Sequence, residues 1–211
     1  MKRFALSATA VIALAAAGAA VAQQAAAPAA RPAPAPAAPS LQVGDSAPDF
    51  TAKAYENGKE TSINLKTALK KGPVVLYFFP GAFTAGCNVE AKNFADAIDG
   101  YKKVGAQVVG ITGGFGTADK AGPAATSLDE AVKDFSTEKC NGKFPVAVAS
   151  ADTIAAYKAV LTQRPGWSNR TSYVITPDDK IVLAYVNLGP DGHVDKTLKA
   201  VQDWKAAHSK S

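Results

Sequence analysis

The chain of 211 residues is 47% hydrophobic and carries 23 lysines and arginines against 18 acids, a formal charge of +5. So small an excess, with acids and bases interspersed and no basic run bearing aromatics, excludes a nucleic-acid footprint. Two cysteines are too few for a disulfide scaffold, so the core has to be sustained by burial.

Met1-Lys2-Arg3, the Ala-rich apolar stretch 4–21 and the small-x-small site Ala20-Val21-Ala22 predict a cleaved secretory signal peptide over residues 1–22. Ser7, Thr9 and Gly18 interrupt the stretch and no stop-transfer flank follows, which argues against a stable membrane anchor. Cleavage would remove Lys2 and Arg3 and take the charge from +5 to +3. Residues 23–40 are almost wholly Ala, Pro and Gln and predict an extended, partly polyproline linker. Residues 41–211 suit one domain. Export into an oxidising compartment also allows Cys87 and Cys140 to be an ordinary structural disulfide.

Within the domain, the polar turn ENGK between TA and ETSINL predicts a hairpin, and 65–71 a short helix. The apolar run 73–79, PVVLYFF, is too short for a helix and rich in β-branched and aromatic residues, the pattern of a strand covered on both faces. From Thr84 to Val104 the period changes: Ala91, Phe94, Ile98 and Tyr101 follow at spacings of three and four, with Cys87 on the same stripe one turn earlier. A second buried strand, 106–112, completes a parallel crossover. GGFGTADKAGPAAT follows as a long loop; its glycines lack the spacing of a dinucleotide fingerprint, and a flexible approach to the next helix is expected. Ser127 and Glu130 form a capping box before a helix ending at Cys140. A strand at 144–149, a short helix, a hairpin turning at Pro177–Lys180 and a helix over 193–207 complete a mixed sheet flanked by helices.

The chemistry concentrates in FPGAFTAGCNVE, residues 79–90. Thr84 is expected to cap the helix, its hydroxyl accepting a first-turn N–H. Cys87 then lies among unpaired amides at the positive end of the helix dipole, where the nucleophilic thiolate is favoured. The only histidines, His193 and His208, fall on the last helix, read as solvated; they offer neither a general base for a Cys-His hydrolase nor metal-ligand spacing. No CxxC is present, which disfavours a thiol-disulfide oxidoreductase and leaves a single attacking thiol. Arg170, by residue type alone, is an ordinary ion-pairing arginine at a strand start.

Pro80-Gly81-Ala82-Phe83-Thr84-Ala85-Gly86-Cys87 resembles the PxxxTxxC signature of the peroxiredoxins, and Glu90-Ala91 the continuation in their atypical, bacterioferritin-comigratory-protein-like branch. Val43–Phe50, FPVAVAS and Asn169–Ile175 extend the likeness over nearly all of 41–205. The resemblance implies a thioredoxin-like fold of the α/β class and a cofactor-free thiol peroxidase acting on hydrogen peroxide and organic hydroperoxides. It implies Cys87 as the peroxidatic thiolate, Pro80 shielding the sulfur, and Thr84, Gly86, Glu90 and Arg170 as the peroxide-binding set. Glu90 would orient Arg170, although a favourable N-terminal helix charge accounts for it equally well. Cys140 is left as a resolving cysteine, a free thiol beside a one-cysteine cycle, or half of a structural disulfide; the alternative resolving position, five residues past Cys87, is Lys92. Implied partners are a thioredoxin-like thiol reductant and, at most, a second copy in a homodimer, in a periplasmic location. A non-enzymatic thioredoxin-like binding module is the competing reading.

Overall fold

A computed structural model describes residues 40–116 and 125–209. The predicted signal peptide, all but the last residue of the linker and most of the loop after the second central strand lie outside the described residues. Among the described residues no helix is long and apolar enough to cross a membrane.

The hairpin expected at ENGK forms between β1, Thr51–Glu56, and β2, Lys59–Asn64. Asn57 and Gly58 both take positive φ, 50° and 72°, the backbone twist that a two-residue hairpin turn requires. Asn64 then caps α1, Leu65–Leu69, by accepting from the Thr67 amide. The apolar run becomes β3, Val74–Phe78, buried along its whole length. Alternation divides it: Val75, Tyr77 and the adjoining Phe79 face one core, Val74, Leu76 and Phe78 the other. Helices therefore have to cover both faces.

The crossover from β3 runs through α2, Ala85–Lys103, to β4, Gln107–Thr112, which pairs parallel with β3. After the loop, Ser127 caps α3, Leu128–Glu138, by accepting from the Glu130 amide. The reciprocal half of the box is displaced by one residue, because the Glu130 carboxylate accepts from the Thr126 amide and hydroxyl instead. β5, Val146–Val148, and α4, Ala151–Ala156, precede the second hairpin, β6, Thr171–Ile175, and β7, Ile181–Val186. α5 spans His193–His208. The sheet order is β2-β1-β5-β4-β3-β6-β7, parallel through β5-β4-β3 and antiparallel elsewhere. This is the mixed sheet flanked by helices that the sequence predicts.

Of the two cores, the one under α2, α3 and α5 is the richer in aromatic rings. Phe94 of α2 stacks on Tyr77 of β3 with centroids 4.3 Å apart, and Phe79 stacks on Phe135 of α3 at 5.2 Å. The helix that carries Cys87 is thus held against the central strand by ring contacts seven residues past the thiol. Phe94→Ala should cost about 3–5 kcal/mol, from lost burial plus the cavity left behind. Urea unfolding should show the midpoint falling with an unchanged denaturant slope.

Candidate active site

The chain leaves β3 at Phe79-Pro80 and reverses into α2 through Gly81–Thr84. Backbone bonds fasten that turn to the end of β4: Ala82 N donates to Gly114 O at 3.0 Å and Gly116 N to Ala82 O at 2.7 Å. A Cβ on Gly114 would stand 2.4 Å from the Trp167 ring and 2.5 Å from the Pro80 carbonyl. This glycine therefore permits close approach of backbone to ring, and GGFG begins as packing beneath the Pro80 turn, a correction to its reading as a flexible approach. Phe83 is held at φ 61°, a strained conformation for a residue with a Cβ, with its ring edge-on to Phe135.

Thr84 occupies the N-cap position of α2 but makes no side-chain cap. Its hydroxyl donates to the Gly81 carbonyl at 3.0 Å, while its own carbonyl accepts from the Asn88 amide. The expected capping bond is replaced by one that braces the turn, although the backbone of Thr84 is as extended as that of the capping Asn64 and Ser127. Cys87, third residue of the helix, points inward as its stripe predicts and is 1% exposed.

Arg170 precedes β6, antiparallel to β3, and this pairing brings it across to α2. It is 4% exposed, not a surface residue. Its Nε donates to the Leu188 carbonyl at 2.9 Å, its Nη1 to Glu90 Oε2, and its Nη2 reaches Cys87 Sγ at 3.4 Å. Gly86 makes room for this fork: a Cβ there would lie 3.1 Å from Nη2. The Arg170 pKa is raised; burial lowers it, and the Glu90 and Cys87 charges beside it outweigh that effect. Burial pushes the Glu90 carboxyl up to about 8, which the guanidinium only partly opposes. A permanent cation and the first-turn amides of α2 thus converge on one sulfur, where both favour negative charge.

His193 is the residue that sequence reasoning missed. Far from being solvated, it is fully buried, with Nδ1 2.8 Å from Ser172 Oγ and 3.6 Å from Glu90 Oε1, and Nε2 3.0 Å from the Asn187 carbonyl. The available signal was Thr197, four residues along and buried too: together they form a polar pair on the inward face of α5. His208, by contrast, is exposed on the last turn.

Cys140 lies just past α3, fully buried and unpaired, as Cys87 is. Burial pushes its thiol well up, an effect that the neighbouring Tyr77 hydroxyl only partly opposes. Pro80 has its carbonyl accepting from the Thr112 hydroxyl at 3.3 Å. The structure so brings Pro80, Thr84, Gly86, Cys87, Glu90 and Arg170 to one place and buries Cys140, past the end of α3, in the same apolar core as Cys87. Lys92, at the alternative resolving position, is exposed and pairs with Asp96.

The AhpC/TSA family profile matches residues 43–184. The chain belongs to the AhpC/TSA family, the peroxiredoxins. It is similar to the chloroplastic peroxiredoxin Q of Sedum lineare, 32% identical over 163 residues that cover 77% of this chain and 78% of the relative. With the chloroplastic peroxiredoxin Q of Arabidopsis thaliana it shares 34% identity over 157 residues, 74% of this chain and 65% of the longer relative. Among solved structures, the peroxidoxin BcpB of Mycobacterium tuberculosis superposes with a TM-score of 0.63 at 27% identity, covering 77% of this chain and 97% of that one. These relatives place this peroxiredoxin in the branch that its PxxxTxxC and Glu90 suggested, confirm the thioredoxin-like fold, and make the chain a thiol-dependent peroxidase, an oxidoreductase.

Two groups of this peroxiredoxin's site titrate with opposite consequences for stability. Burial holds His193 down, to about 4 from 6.5, so between those values the unfolded chain binds the proton more tightly than the folded one. The stability of the neutral ring is complete above pH 6.5 and is lost as pH falls toward 4. Glu90 has the reverse sign, its folded value being raised from 4.5 to about 8, so its contribution declines as pH rises through that window. Melting temperature plotted against pH should accordingly fall less steeply between pH 6.5 and 4 in His193→Gln than in the wild type.

Proposed function

We propose that this peroxidase reduces hydrogen peroxide and organic hydroperoxides through Cys87, and the observation that carries the reading is the Arg170 fork joining Cys87 Sγ and Glu90 inside a closed site. The thiolate attacks one peroxide oxygen; an S–O bond forms, the O–O bond breaks, and sulfur is oxidised by two electrons to a sulfenic acid. The departing alkoxide or hydroxide takes a proton from solvent to leave as alcohol or water. Arg170 supplies fixed positive charge along the path of charge transfer from sulfur to oxygen and needs no proton movement of its own. Thr84 presents its hydroxyl to the peroxide from the mouth of the turn, and Gly86 keeps that approach open. Pro80 screens the sulfur from bulk water, and Glu90 orients the guanidinium.

Cys140 is the resolving cysteine in this reading. Its thiol attacks the sulfenic sulfur, giving a Cys87–Cys140 disulfide and water, and a thioredoxin-like dithiol then reduces the disulfide. Both thiols are buried in one apolar cluster, so the first turn of α2 and the end of α3 have to open for this step. The strained Phe83 and the uncapped Thr84 mark where the helix start is held least firmly. We place the enzyme in the periplasm, on the strength of the 1–22 segment, working as a monomer or homodimer.

Stopped-flow peroxide consumption tests the assignment. Cys87→Ser should abolish it. Arg170→Lys, which keeps the charge but loses the fork, should lower the second-order rate by about a hundredfold. A wild type that stays unoxidised by stoichiometric peroxide would leave only a thioredoxin-like binding module. Cys140→Ser should retain the burst of peroxide consumption and lose steady turnover with a dithiol reductant; undiminished turnover would remove Cys140 from the cycle.

A further inference from the structure

The buried polar chain does not end at Glu90. Oε2 of that carboxyl accepts from Arg170, but Oε1 is buried without a hydrogen-bond partner. His193 Nδ1 lies 3.6 Å from it. The state of that nitrogen follows from the other side of the ring. Nε2 is 3.0 Å from the Asn187 carbonyl, which only accepts, so Nε2 carries the hydrogen. In a neutral ring Nδ1 is then a lone pair, and the Ser172 hydroxyl at 2.8 Å is placed to donate to it. That lone pair is taken by Ser172, so the ring offers Glu90 Oε1 no donor: a carboxylate oxygen there would stay buried beside an electron-rich nitrogen without a partner, and a protonated carboxyl avoids burying that charge. At 3.6 Å the contact is electrostatic, not a formed hydrogen bond.

The opposite arrangement, an imidazolium against a carboxylate, is disfavoured by position. His193 is the first residue of α5, where unpaired amides and the positive end of the helix dipole oppose a second cation, and Arg170 already lies on the far side of Glu90. The charged and titratable groups around the pair are Cys87 on α2, Arg170 before β6, and Tyr77 on β3 on the Glu90 side. Asp191 and Tyr185 face His193, the Tyr185 ring edge-on at 4.8 Å with Lys196 Nζ over that ring at 5.1 Å.

We propose that Glu90 keeps its proton because His193, neutral and with Nδ1 taken by Ser172, offers Oε1 no donor, so that His193 is a positioning residue that leaves the Arg170 charge to Cys87. A single guanidinium stands between two acids, and whichever acid keeps its proton leaves the cation to the other. Burial, which raises the Glu90 carboxyl and depresses His193, acts in the same sense. The same imidazole also clamps the Asn187 carbonyl, next to the Leu188 carbonyl that receives Arg170 Nε, so it steadies the guanidinium from two directions. The purpose of that charge rests on the peroxidase reading; the proton is a property of the pair alone.

The test is a carbon-13 NMR titration of the full chain labelled at glutamate carboxyls, with the Glu90 signal assigned by its absence in Glu90→Gln. The wild type should show Glu90 as an acid at pH 7 and, by imidazole nitrogen-15 shifts, a neutral His193 protonated on Nε2. His193→Asn can turn its amide N–H toward Oε1 and should lower the Glu90 midpoint by about one pH unit, a tenfold change in proton affinity, which His193→Phe, offering no donor, should not reproduce. If His193→Phe does not fold, His193→Asn and the wild-type shifts decide. A wild-type carboxylate at pH 7, an imidazolium, or a midpoint that ignores His193→Asn overturns the proposal. Peroxide consumption by the same wild-type sample separates the two readings: failure of Cys87 to oxidise sinks the peroxidase assignment and leaves the carboxyl titration as it stands.

Discussion

A buried guanidinium is the constraint around which the rest of this molecule is arranged. Arg170 is 4% exposed and spends its donors on a backbone carbonyl, a carboxyl and a sulfur. Taking such a group out of water costs several kcal/mol unless its partners are fixed in place. The partners come from two segments far apart in the chain: the sulfur and carboxyl from one turn of α2, the Leu188 carbonyl from the stretch between β7 and α5. The β3–β6 pairing and the stacking of Phe94 on Tyr77 hold those elements together.

The polar interior extends further than a thiol and its arginine. Cys87, Arg170, Glu90, His193 and Ser172 form a line of buried polar groups running from the start of α2 to the start of α5. In so dry a setting the protonation states are interdependent: one cation meets two acids and one imidazole, and neighbours settle which of them is charged. Two helix starts bear on this line with the same sign. The first turn of α2 favours the anion at Cys87, and the first turn of α5 disfavours a cation at His193. The site therefore keeps Arg170 as its one fixed charge.

Around this rigid line the catalytic turn itself is less firmly fastened. Thr84 gives its hydroxyl to Gly81 instead of capping the helix, and Phe83 is strained. Close packing of Gly81 and Gly114 against Trp167 keeps the turn in place from outside.

Much of this was legible in the residues alone. The switch from a seven-residue apolar run to a three-four stripe marked β3 and α2, and placed Cys87 inward on a first turn, because period and burial are local properties of the chain. The octapeptide from Pro80 to Cys87 was enough to suggest the family. What the chain order left undetermined were meetings between distant segments. That Arg170 faces Cys87 instead of solvent follows from strand pairing across more than eighty positions. That His193 is buried behind Glu90 follows from how α5 docks, which its own spacing does not specify. Thr84 read as a cap because its type and position fit one, and only the folded turn, which brings the Gly81 carbonyl within reach, sent its hydroxyl elsewhere. Sequence by itself marked Cys87 and the turn before it; tertiary structure decided which groups touch, since contact in a dry interior depends on the path of the whole sheet.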